Sequence, residues 1–113
     1  MNVTPQFLII NDKATGEDLR LDFLRLKKAA IILRALNHKL RQLLIKLIDE
    51  HQKITVTEIY VNLRLEQSVV SQHLAILRRA GIVITQREGK FIFYSLNYKR
   101  LKEINHFIEQ LVS

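Results

Sequence analysis

Apolar side chains recur along most of this chain at helical spacing, with one strand-like stretch late in the sequence. From about residue 17 to 36, Leu19, Phe23, Leu26, Ala30 and Leu33 fall four, three, four and three apart, one side of a helix. Ile31 and Ile32 widen that stripe beyond a single core face, so the helix reads as an oligomer interface rather than purely internal packing. A second helix, 38–50, follows Asn37 as its N-cap and carries Leu40, Leu43, Leu44, Leu47 and Ile48 on one face. Thr55 and Glu58 form a T-x-x-E capping box that opens a short third helix ending near Leu63. Ile54 and Ile59 take the hydrophobic staple positions around it.

After the break "RLE", the pattern predicts a fourth helix over 67–79, with Gly81 just beyond it as the residue that turns the chain. "IVITQREGKFIFYSL", residues 82–96, is rich in β-branched and aromatic side chains and has Glu88-Gly89 at its middle, a β-hairpin signal. Asn97 then caps a last helix, 98–112, with Leu101, Ile104, Ile108 and Leu111 on one face. Residues 1–16 differ from the rest: Pro5, then "FLII", then the polar "NDKATG", an arm that adds an edge strand or lies across a partner. The order is helix, helix, short helix, helix, hairpin, helix. This predicts a mainly α chain with a small β-hairpin, a winged helix-turn-helix domain over 17–113 preceded by the arm.

Function is carried by the fourth helix. Val70, Leu74 and Leu77 point one way, toward the second and third helices, while Ser68, Ser71, Gln72, Ala75 and Arg79 share the opposite face. A face that served only solubility would carry Glu and Lys. Short hydroxyls and amides instead suit a helix that approaches base edges closely, since Gln pairs with adenine and Ser with several edges. Arg78 and Arg79 would meet phosphates, which supply affinity and register rather than sequence choice. His73, beside Gln72, fits either a phosphate contact or a packing role. In the hairpin, the wing, Arg87 and Lys90 flank the tip and would reach a backbone phosphate or a minor groove, with Glu88 weakening the field between them. Glu66 favours the helix dipole at the start of the fourth helix but opposes a phosphate backbone.

Charge sharpens this reading. The chain of 113 residues has 18 Lys and Arg against 11 Asp and Glu, a net +7, and the excess is concentrated. Residues 64–100 hold seven basic and two acidic side chains, whereas 1–63 hold ten and seven. An anionic partner, double-stranded DNA, follows. There is no cysteine, which excludes disulfides, thiolate metal sites and thiol redox sensing within the chain. No apolar run is long enough to span a membrane, and the start lacks the basic and apolar regions of a signal peptide. No catalytic triad, glycine-rich phosphate loop, H-E-x-x-H or paired-carboxylate motif appears, so an enzyme is not expected. The alternative to DNA binding is a winged-helix module for protein–protein assembly. That would call for an apolar recognition face, and this one is polar.

The segments "LNHKLRQLLIKLI", "TVTEIYVNLRLEQSVVSQHLAILRRAGIV" and "REGKFIFYSL" resemble the ArsR/SmtB family of small dimeric repressors, over about residues 19–112. The resemblance implies a homodimer built from the first and last helices, each recognition helix entering a major groove at half-sites about one turn, or a multiple, apart. It implies base and near-base contacts from Gln67, Ser68, Ser71 and Gln72, backbone contacts from the wing, and a structural or phosphate-facing Arg41. A bacterial, cytoplasmic, nucleoid-associated repressor is the expectation. Many such proteins release DNA when a metal binds. One family site uses cysteines on the third helix, and "TEIYVNLRL" has none. Another pairs Asp-x-His with His-x-x-Glu; His106 and Glu109 match the second half, but the first half falls on Phe93 and Ser95. Two ligands per chain do not close a four-coordinate site, so neither metal nor cofactor is expected. The effector is left open: a small organic ligand, another signal, or none.

Overall fold

A computed structural model describes residues 6–113, so Pro5 of the expected arm lies outside the described residues. The elements run β1 (Phe7–Asn11), β2 (Asp18–Asp22), α1 (Phe23–Leu36), α2 (Lys39–His51), β3 (Ile54–Thr55), α3 (Val56–Leu63), α4 (Gln67–Arg79), β4 (Val83–Glu88), β5 (Phe91–Leu96) and α5 (Tyr98–Val112). The chain divides into two compact units, the first ending at Ile32 and the second running Leu33–Ser113.

In the first unit β1 and β2 form an antiparallel hairpin, pairing Phe7 with Asp22 through Asn11 with Asp18. The helix expected from residue 17 therefore begins at Phe23 instead. Asp18, Leu19, Arg20, Leu21 and Asp22 alternate with period two, and strand pairing with "FLIIN" uses that alternation. The four-residue step from Leu19 to Phe23 was thus a coincidence of two overlapping periods. Gly16, at φ +76, lets the connecting loop close through Gly16 N–H to the Asp12 carbonyl at 2.7 Å. Asp22 starts the helix: its carboxylate accepts from the Arg25 N–H at 3.1 Å, an N-cap bond to the third helical residue.

The second unit has the core. Leu44, Leu47 and Ile48 of α2, Ile59 of α3, Val70, Leu74 and Leu77 of α4, Ile82, Val83, Leu96 and Ile104 are all buried. His38, not Asn37, caps α2, its Nδ1 accepting from the Leu40 N–H at 3.1 Å. The Thr55–Glu58 capping box forms as the sequence predicts. A strand the sequence reading missed, β3, pairs with β5 and gives a three-stranded sheet in the order β3-β5-β4. Two residues are too few to show a period. Gly81, at φ +75, ends α4 in a Schellman motif, with Gly81 N–H bonding to Arg78 and Ile82 N–H to Leu77. The wing turns on two residues, Gly89 and Lys90, because Glu88 pairs with Phe91. Gly89 at φ +63 supplies the positive φ that such tight hairpins need. Asn97 caps α5 by accepting from the Arg100 N–H at 3.1 Å.

Candidate nucleic-acid interface

The turn from α3 to α4 is made by Arg64, whose left-handed φ of 55 lets its N–H and that of Leu65 cap α3. From there α4 packs against α2 and α3 through Val70, Leu74 and Leu77, each at 1% exposure or less. The opposite side is open. Gln67, Ser68, Ser71, Gln72, Ala75, Arg78 and Arg79 are all exposed, so the residues grouped by helical spacing do share one accessible face. Arg79 folds back, its Nε donating to the Ala75 carbonyl at 3.3 Å. Glu66 occupies the N-cap position without a side-chain capping bond.

Arg41 holds this helix in place. It is a buried side chain whose Nε donates to the Ala35 carbonyl at 2.6 Å and whose Nη2 donates to the Arg34 carbonyl at 3.0 Å. These are carbonyls at the C-terminal end of α1, where helices have acceptors without intrahelical partners. Its remaining terminal nitrogen donates to His73 Nδ1 at 3.2 Å. Arginine cannot accept, so this contact fixes His73 as a neutral imidazole with its proton on Nε2. The His73 ring also lies against His38, with centroids 4.7 Å apart. Burial pushes the His73 pKa below its ordinary value, and the charges of His38 and Arg41 push the same way. His73 is therefore half-buried and packed against Arg41 and His38. Arg41 has the structural role the sequence allowed for it.

Between α4 and the sheet lies an open cleft of about 410 Å³ lined by Ser71, Ala75, Arg78, Arg79 and Tyr94. Tyr94 was missed by sequence reasoning, although alternation along β5 puts it on the same sheet face as the buried Leu96. The cleft brings two guanidinium groups and two hydroxyl-bearing side chains together with no carboxylate in its lining, a chemistry suited to phosphate oxygens. At the wing, Arg87 and Lys90 are exposed on either side of the tip, and Arg87 Nε donates to the Gly89 carbonyl at 3.1 Å. Glu88 does not sit free between them. Lys53 bonds both of its carboxylate oxygens, at 2.8 and 2.9 Å. His106 is exposed on α5, and Glu109 accepts from Asn105 at 3.2 Å. Among the described residues no group of three or more His, Cys, Asp or Glu gathers to hold a metal. None of the helices described is long and apolar enough to cross a membrane.

A buried-backed helix with a small polar face, set after a tight turn and before a basic wing, defines a winged helix-turn-helix protein. Residues 38–85 match the family described as "Bacterial regulatory protein, arsR family". An HTH-type transcriptional regulator of Methanocaldococcus jannaschii is 36% identical over 85 residues, 75% of this chain and 96% of that protein. The transcriptional activator HlyU of Vibrio cholerae is 38% identical over 74% of this chain and 77% of its own. The crystal structure of the transcriptional repressor PagR of Bacillus anthracis superposes with a TM-score of 0.61 at 30% identity, covering 80% of this chain and 99% of that one. The chain belongs to the ArsR family of DNA-binding transcriptional regulators. These relatives are regulators, not enzymes.

Proposed function

We propose that the protein acts as a homodimer that reads a specific duplex site through α4 and steadies itself on the backbone through the wing, and that it represses the adjacent promoter. The observation that carries this reading is the exposed face of α4, uncharged from Gln67 to Ala75 and bounded by Arg78 and Arg79. Gln67, Ser68, Ser71 and Gln72 are assigned to base edges; Arg78, Arg79, Arg87 and Lys90, with the Nε2–H of His73, are assigned to phosphates. Exposed Leu24, Leu26 and Ile31 on α1, and Phe107, Leu111 and Val112 on α5, support first and last helices as the dimer surfaces. The relatives include both an activator and a repressor, so the direction of control rests on the promoter test. A regulator acting on DNA in this way would work in the cytoplasm, at the nucleoid.

The test is fluorescence anisotropy against duplexes selected from the source genome and against random duplex, across a salt series. Affinity for both should fall steeply with salt. Ser71→Ala with Gln72→Ala should cost the selected site about 2–6 kcal/mol per half-site while leaving random binding nearly unchanged, since each lost base contact is worth roughly 1–3 kcal/mol. Equal losses on both duplexes would remove base reading from α4. A promoter reporter that rises, rather than falls, when the protein is expressed would reverse the sign of control.

A further inference from the structure

The hairpin has an unguarded edge. Sheet edges in folded proteins carry charges, prolines or bulges, or are very short, because bare edges recruit other strands. β3 has two residues; β4 carries Arg87 and Glu88; β2 carries Asp18, Arg20 and Asp22. β1, "FLIIN", has no charge and no proline, and among the described residues only β2 pairs with it. The direction of its free groups follows from its neighbours. Phe23 N–H bonds to the Gln6 carbonyl at 2.7 Å and Asp12 N–H to the Glu17 carbonyl at 2.8 Å, so even-numbered residues face β2. In an antiparallel ladder the alternate residues, Phe7, Ile9 and Asn11, then direct their N–H and C=O groups outward.

The hairpin is also short of cover. Leu8 and Ile10 pair with Leu21 and Leu19 to make a wholly aliphatic face, with the four side chains 45%, 43%, 39% and 55% exposed. No residue from 6 to 32 is buried, and an isolated two-stranded hairpin is marginal in water.

We infer that β1 pairs edge to edge with β1 of a second copy, giving a continuous four-stranded sheet in the order β2-β1-β1-β2 about a two-fold axis. Charge selects this occupant. Residues 6–22 carry four acidic and two basic side chains, whereas the other described residues carry seven and sixteen. An acidic hairpin repels nucleic acid and anionic membrane, which rules against either as its cover. Self-pairing through β1 puts the neutral strands at the centre and the charged β2 strands outermost, about 14 Å apart at ordinary strand spacing. That exceeds the screening length of roughly 8 Å at physiological salt, so the two acidic strands barely oppose each other. Pairing would also merge two aliphatic quartets into one face of eight. The inference shares with the proposed function only the second copy, and does not depend on DNA recognition.

Hydrogen exchange on the full chain tests it directly. The Phe7, Ile9 and Asn11 amides should exchange at least about a hundredfold slower than in a free chain, with protection rising with protein concentration. Ile9→Pro removes an outward N–H but no bond to β2. It should abolish protection at Phe7 and Asn11 and weaken self-association about tenfold, while Leu8 and Ile10 stay protected. Because the chain has no cysteine, Ile9→Cys can be bridged by a short bis-maleimide; a dimer band is expected there and none from Thr15→Cys at the loop. Free-chain exchange at Phe7, Ile9 and Asn11 in an assembled protein overturns the inference and leaves the dimer standing. So does protection without the Ile9→Cys bridge, which would mean a strand from another protein. Protection in a protein that binds no DNA refutes the DNA reading alone.

Discussion

Arg41 and His73 join α2 to α4 through a hydrogen bond that exists only while the imidazole is neutral. A histidine whose folded pKa lies below its ordinary value binds fewer protons folded than unfolded, so stability rises with pH across that range. The contribution is complete above the ordinary histidine value of 6.5 and is lost as pH falls from there toward the lowered folded pKa. The melting temperature should therefore fall as buffer is taken from pH 7.5 to 5.5, and His73→Gln, which keeps an acceptor but cannot titrate, should flatten that fall. Parallel curves for the two proteins would show that the Arg41 contact is not what the proton disrupts. The sequence placed His73 beside the exposed Gln72 but could not show its partner, which is thirty-two residues away in α2.

At the scale of elements, local start and stop chemistry decided what could be read in advance. Thr55, Asn97 and Gly81 each work through backbone groups within a few residues of themselves, and α3, α4 and α5 lie where those signals place them. Thr55→Ala should cost about 1 kcal/mol in urea unfolding, the usual worth of such a cap, with Thr55→Ser recovering most of it. A loss below a few tenths would mean that β3 pairing, not the cap, sets the start of α3. Elements defined by distant pairing were illegible by the same logic. β3 exists because Ile54 and Thr55 meet Tyr94 and Phe93, and Leu19 belongs to β2 because Ile10 lies opposite. A period read along one strand cannot report its partner. The exposed face of α4 was legible because burial of Val70, Leu74 and Leu77 fixes the helix rotation, and rotation alone decides which side chains are left outside.

For the molecule as a whole, the field presented to DNA depends on pairing across elements as much as on the count of basic residues. Glu88 lies between Arg87 and Lys90 in sequence and would halve their effect, yet Lys53, thirty-five residues earlier, occupies both of its oxygens. Lys53 also lies 4.8 Å from the centre of the Phe93 ring, which helps to hold its ammonium over the sheet. The pair is exposed, so it contributes little to stability, about 0–1 kcal/mol. Its consequence is electrostatic. Lys53→Ala should weaken DNA binding several-fold, because it releases an uncompensated carboxylate at the wing tip as well as removing a cation. Adding Glu88→Gln to that variant should restore most of the affinity, and Lys46→Ala, which has no such partner among the described residues, should have the smaller effect. The coupling should fade as salt is raised, since exposed charges are screened beyond roughly 8 Å at physiological ionic strength. Strictly additive losses in the Lys53–Glu88 cycle would show that the wing meets DNA through Arg87 and Lys90 alone, with Glu88 turned away from the phosphates whether or not Lys53 holds it.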